Sequence, residues 1–203
     1  MPTAPAALPP RPRGAPLSLQ LIEIVPADTA REAVSALLDR TASTLTETGH
    51  ELVEAQVTSD RGRVFVIAEV QGEADAAPAA DLATALGDAA AEVSEPAPVR
   101  LVGAELADVK AARPAAGYLV EWDIPAEITM DAYLARKKAN APKYADVPET
   151  SFLRTYVRED TAKCLCFYDA PGTDAVVRAR EAVSTPIDRL HVLDLDLLRG
   201  VGR

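Results

Sequence analysis

Cys164 and Cys166 are the two cysteines of the chain, one residue apart in the run Lys163-Cys164-Leu165-Cys166-Phe167-Tyr168-Asp169. Thiols at i and i+2 of a strand point the same way. Their sulfurs stand too far apart for an ordinary disulfide but could flank a soft metal ion. Two thiolates do not close a coordination sphere. The two histidines are His50 and His191. Strand parity sets His191 opposite to the cysteines and two ladder spacings, about 10 Å, away. Thiols packed as small apolar groups are the reading that spacing favours. A second constellation, Tyr156, Tyr168, Glu121 and Arg154, could bind a polar aromatic or carboxylated small molecule or move protons. The same residues could equally be structural hydrogen-bonders and a Glu–Arg pair. Arg136-Lys137-Lys138, with Lys143, reads as the solvated C-terminal turn of a helix, where cations suit the macrodipole. No nucleophile elbow, Gly-rich phosphate loop, paired-cysteine zinc motif or HExxH helix occurs.

The elements that must position these residues show in an internal repeat. "ELVEAQVTSDRGRVFVIAEV" (51–70) aligns without a gap to "SFLRTYVREDTAKCLCFYDA" (151–170), each reading strand, Asp-containing turn, strand. Upstream lie the strands 19–26 and 118–125. Each is followed by a helix: Thr29 to Thr48, with a Thr29–Glu32 capping box and Gly49 as its stop, and Thr129 to Ala141, ended by Pro142. Downstream come helices at about 75–92 and 173–183 and final strands at 99–106 and 189–197. Each half is β-α-β-β-α-β, the ferredoxin-like order. The fold class is therefore α+β: two tandem ferredoxin-like units packed sheet to sheet as a pseudo-dimeric α/β barrel, since a lone unit would leave one sheet face bare. The expected divisions are a disordered Pro-rich tail (1–17), a first ferredoxin-like domain (18–106), a linker (107–117) and a second domain (118–198).

Composition narrows the function classes. The 203 residues carry a net charge of −10, and residues 1–116 hold 9 basic against 17 acidic side chains. Such a charge repels phosphate backbones and anionic membranes, so neither is an expected partner. No apolar run approaches a membrane span, and two cysteines in this length suit a reducing cytoplasm.

Strand parity then sorts the second half. Val120, Trp122, Ile124, Leu153, Val157, Leu165, Phe167, Leu193 and Leu195 are expected beneath the helices. Glu121, Asp123, Arg154, Tyr156, Arg158, Cys164, Cys166, Tyr168 and Asp194, with Phe152 and Val192, are expected to face the other half. Glu54, Gln56, Val64, Val66 and Ala68, with Glu23, would be the first half's counterparts. His50 is expected to be exposed.

"YLVEWDIP", the 151–171 hairpin with Tyr156-Val157-x-x-Asp160 and Cys166-x-Tyr168-x-Ala170-Pro171, and "DAVVRAREAVSTPIDRLHVLD" resemble a small bacterial family of ferredoxin-like, nickel-binding proteins, formerly a domain of unknown function. The resemblance covers about 118–196. It implies a fused dimer and a nickel or other metal site, with Cys164, Cys166, Glu121 and Asp194 as candidate donors and Glu23 near them. Arg178 and Arg180 stand on the second helix, where the family pattern often has a histidine. The wider dimeric α/β-barrel superfamily implies an alternative: a cofactor-independent cyclase, isomerase or monooxygenase using Tyr156, Glu121, Arg154 and Tyr168. The resulting expectation is a cytoplasmic metal- or small-ligand-binding protein, monomeric as a pseudo-dimer or homodimeric, with its site between the halves.

Overall fold

The computed structural model describes residues 19–71, 79–112, 116–197 and 199–200. The expected disordered tail lies outside these residues, as do 75–78 of the second helix, 113–115 of the linker and Leu198.

The first half runs β1 (Leu19–Pro26), α1 (Arg31–Glu47), β2 (His50–Val57), β3 (Val64–Val70), α2 (Ala79–Leu86), β4 (Ala90–Val93) and β5 (Ala97–Val102). Helix α3 (Leu106–Ala112) follows, so the stretch expected as a linker is helical over most of its described length. The second half runs β6 (Tyr118–Asp123), α4 (Met130–Asn140), β7 (Ser151–Arg158), β8 (Lys163–Asp169), α5 (Thr173–Ala182), β9 (Arg189–Val192) and β10 (Arg199–Gly200). Residues 90–92, expected at the end of a helix, are strand. The cap of α1 also differs: Ala30 is its N-cap without a side-chain bond, while Asp28 Oδ1 accepts from the Ala30 amide. Thr129 caps α4 as expected, accepting from the Ala132 amide. Among the described residues, no helix is long and apolar enough to cross a membrane.

The repeat is exact in its irregularities. Both hairpins carry a bulge at the same place, between Leu52 and Glu54 and between Phe152 and Arg154. Both turn through a residue with positive φ, Arg61 at 59° and Thr161 at 58°. In each turn an aspartate, Asp60 or Asp160, accepts the amide two residues on, the Asx geometry that tolerates such a backbone.

All strand pairs are antiparallel, in the order β10-β2-β3-β1-β5-β7-β8-β6-β9, with β4 also on β1. Closure comes from exchanged final strands. β5 leaves β1 to pair with β7 of the second half, and β10 pairs with β2 of the first. A bridge between Thr58 and Leu193 joins the remaining seam. The result is a pseudo-dimeric α/β barrel made by one chain. Closing the sheet removes the unpaired edges that an open ferredoxin-like unit would present.

Three cores follow. Between the halves lie Leu19, Leu21, Phe65, Ile67, Leu119, Tyr156, Leu165, Phe167 and Leu193, with Leu106 and Val109 of α3. Under α1 and α2 lie Ile22, Ile24, Val34, Leu37, Val64, Val66, Ala68 and Leu82. Under α4 and α5 lie Val120, Trp122, Tyr133, Val157, Cys164, Cys166, Tyr168 and Val176.

Candidate functional site

Register decides which face each candidate occupies. β8 pairs Cys166 with Val120 and Cys164 with Trp122, and directly opposed residues of an antiparallel ladder share a face. Cys164, Cys166 and Tyr168 therefore point beneath α4 and α5, not at the partner half as parity suggested. Leu165, Phe167 and Leu193 fill the barrel interior instead. The six residues between Val157 and Cys164 pair residues of opposite parity across this hairpin. The bulge after Phe152 then sends Phe152 to the helix side and leaves Arg154 and Tyr156 inside. Val64, Val66 and Ala68 are reversed in the same way. Val192 and Leu195 are exposed, and His50 is buried, its Nδ1 3.1 Å from Thr48 Oγ1.

Inside the barrel the polar candidates have protein partners. Arg154, 1% exposed, donates from Nε to Glu54 Oε1 at 2.8 Å and from Nη2 to Glu54 Oε2. The Tyr156 hydroxyl donates to Glu54 Oε1 at 2.6 Å, and Gln56 donates to Glu54 Oε2 at 2.8 Å. Arg154 also lies over the Phe167 ring. Glu121, fully buried, meets His191 Nε2 at 2.7 Å, Arg189 Nε at 2.9 Å and Lys163 Nζ at 2.9 Å. Lys163 continues to Glu23 at 2.7 Å, and Glu23 to Arg63 at 2.9 Å. Burial would push the Glu121 carboxyl up, but hydrogen bonds from His191, Arg189 and Lys163 outweigh it and hold the carboxyl well below the usual range. Asp194 lies elsewhere, against Arg61 at 3.5 Å.

The proposed metal donors are thus dispersed: two thiols under the helices, Glu121 on the opposite face of the sheet, and Asp194 against Arg61. Among the described residues, no group of three His, Cys, Asp or Glu side chains could hold a metal ion. The thiols alone have a suitable bite. Their sulfurs stand 3.8 Å apart, the separation of two ligands at ~2.3 Å from a tetrahedral ion. Their neighbours do not fit nickel, because the charged groups beside them are cations.

Those neighbours form a pocket between β6, β8, α4, α5 and the turn at Ala141–Asp146. Its walls include Trp122, Tyr133, Tyr144, Arg136, Lys137 and Arg180, with both cysteines at its floor. About 30 Å³ is open to the centre of a water-sized sphere, room for roughly two waters or a small ion. Cys166 Sγ accepts from Arg180 Nη1 at 3.3 Å and Thr155 Oγ1 at 3.2 Å, and Lys137 Nζ donates to Thr155 Oγ1 at 2.9 Å. The Cys164 thiol, with the Lys137 and Arg180 charges and the Thr155 hydroxyl, holds Cys166 well below the ordinary thiol range against the effect of burial. Contact with Cys166 and burial push Cys164 the other way. The Tyr144 hydroxyl, 2.9 Å from that of Tyr168, is pushed up to about 12, chiefly by burial.

Arg136, Lys137 and Arg180 were not among the expected site residues. A basic run on an amphipathic helix carries no local sign that its flank leans over a pocket. Arg180 gave one signal: a charged residue on the stripe that α5 turns to the sheet, beside Val176 and Ala179.

Residues 118–192 match the family model described as nickel responsive protein SCO4226-like. Within the C-terminal half, this segment is similar to the SCO4226-like domain. The crystal structure of SCO4226 from Streptomyces coelicolor A3(2) is 19% identical, over 37% of this chain and 91% of that one, with a TM-score of 0.33. The FN1347 protein of Fusobacterium nucleatum subsp. nucleatum ATCC 25586, described as a putative monooxygenase, is 9% identical over 92% of this chain and 95% of its own, with a TM-score of 0.51. Siroheme decarboxylase NirDL is 10% identical over 87% of this chain and 70% of its own, with a TM-score of 0.46. The FN1347 likeness extends the two-unit fold over almost the whole chain, beyond the SCO4226-like half. No curated protein matches this chain.

Proposed function

We propose that this chain binds a small anion, a carboxylate or oxyanion, in the pocket of its SCO4226-like half. Arg180 carries the reading. Its side chain is 2% exposed, its partners among the described residues are the Cys166 sulfur, the Tyr168 hydroxyl and the Pro186 carbonyl, and its Nε has none among them. A buried guanidinium without a carboxylate is costly, by several kcal/mol. Even with Cys166 ionised, Arg136, Lys137 and Arg180 are three cations against one thiolate, a surplus of two. Asn140 and Thr185 add neutral polar groups, and the rings of Trp122 and Tyr144 keep the site partly dry, where each charge–charge contact strengthens.

The nickel response named for the family comes to this chain with less support, because a dication would meet that surplus. Calorimetric titration with phosphate, sulfate, acetate and nickel chloride, at constant ionic strength, separates the readings. The expected result is saturable binding of at least one anion, weakened about tenfold or more by Lys137→Met or Arg180→Gln. Heat from nickel alone, lost in Cys166→Ser, would reverse the assignment.

A further inference from the structure

We propose that Cys166 is a nucleophilic thiolate that reacts with hydrogen peroxide to form a sulfenic acid. The inference deepens the pocket reading and rests on it in one respect: peroxide must enter by the opening that admits an anion.

Two donors converge on Cys166 Sγ, Arg180 Nη1 at 3.3 Å and Thr155 Oγ1 at 3.2 Å, and the Cys164 sulfur, able to donate or accept, stands 3.8 Å away. A neutral thiol is a weak acceptor, whereas a thiolate takes several donors, and its bond to a guanidinium is charge-assisted. Charge balance points the same way. Among the described residues Arg180 makes no ion pair with a carboxylate, so Cys166 is the nearest group able to supply the negative charge that its burial calls for. Lys137, one hydroxyl further back, adds to the same field. Cationic, hydrogen-bonded surroundings are what make a thiol reactive. Cys166 is buried, 1% exposed, yet lines the pocket, so reagents reach it through the pocket opening.

In the reaction the Cys166 sulfur attacks one peroxide oxygen. The S–O bond forms as the O–O bond breaks, and the departing hydroxide takes a proton from solvent to leave as water. Sulfur is oxidised by two electrons and the peroxide is reduced by two. The usual next step, attack by a second thiol, is obstructed. Cys164 sits two residues away along the same strand, and its sulfur would have to close from 3.8 Å to about 2.05 Å while the strand holds the β-carbons apart. Cys164 is therefore a hydrogen-bond donor, and the sulfenic acid persists until an added thiol such as dithiothreitol reduces it.

The test treats the full chain with hydrogen peroxide, then dimedone, and reads the adduct by peptide mass spectrometry. One adduct is expected on Cys166, retained in Cys164→Ser and abolished in Cys166→Ser. Arg180→Met should slow labelling on the order of tenfold, with Arg180→Lys recovering part of the rate. Should Arg180→Met fail to fold, the pH profile of wild-type alkylation by iodoacetamide decides: a rate that stays level as pH falls through neutrality supports the proposal. A rate that drops as for a free thiol overturns it. So does labelling on Cys164, or a loss of two hydrogens in place of the adduct. Anion binding without labelling defeats this proposal alone, and labelling without anion binding defeats only the anion reading.

Discussion

Glu54 and Arg154 occupy equivalent positions of the two halves and bind each other. Each stands just past the bulge of its own hairpin, so the pair lies across the pseudo-twofold, where a true homodimer would set each side chain against its own copy. One chain with two unlike halves permits opposite charges there.

Breaking that pair leaves a buried charge behind. Arg154→Met or Glu54→Gln should lower unfolding free energy by about 3–5 kcal/mol, because the surviving partner stays desolvated. A double Glu54→Leu/Arg154→Met variant should recover much of the loss, and denaturant melts of all three chains measure it. Equal losses in single and double variants would show that the pair is not the coupled unit described.

Glu121 sets an acid sensitivity. Its folded carboxyl is held well below its ordinary value of 4.5, so its contribution is complete above the unfolded value. That contribution is lost as pH falls from there through the folded value. Glu121→Gln should therefore flatten stability against pH below about pH 5, while costing on the order of 2 kcal/mol at neutrality. Thermal melts from neutral to acid pH read both effects.

Gly103 links the strand exchange to the pocket. It follows β5 with φ at 89°, and a Cβ there would lie 2.6 Å from Phe152 Cε1. Phe152 in turn stacks on Tyr144 at 5.3 Å between ring centroids and meets Tyr168 at 5.7 Å. Gly103→Ala should cost about 1–3 kcal/mol and also weaken anion binding, an effect that a remote loop substitution would not have. Unchanged calorimetry in a destabilised variant would uncouple the two.

Nickel should leave the thiols untouched. With cations on their flanks, Cys164 and Cys166 are expected to give no intense thiolate-to-nickel absorption when nickel chloride is added. Such a band, absent from Cys164→Ser/Cys166→Ser, would restore the metal reading.

Much of the fold is legible in the sequence because the two hairpins repeat at a spacing of one hundred residues and even share their bulges and turn residues. The faces are less legible. β3 and β8 are buried on both sides, and Val64–Val70 and Cys164–Tyr168 read as nearly unbroken apolar runs in which parity leaves no mark. Register in β8 was therefore free to slip by one residue on paper, and such a slip exchanges every side chain between faces. That slip sets Cys164, Cys166 and Tyr168 on the barrel face, whereas they lie beneath α4 and α5. Arg154, Tyr156 and Glu121 lie on the barrel face that parity predicts, since their polarity against apolar neighbours marks the alternation. The exchange of β5 and β10 left no sign, because a strand that changes partner midway looks like any other strand.

At the positions matching Cys164, Cys166 and Tyr168, the first half carries Val64, Val66 and Ala68, packed dry against Val34, Leu37 and Leu82. A symmetric dimer would own two identical recesses able to sense one another through the shared sheet. Here the pseudo-symmetry stops short of the pocket walls. Occupancy should follow a simple hyperbola with one equivalent per polypeptide, free of the interplay between twin sites that duplication would otherwise have built in.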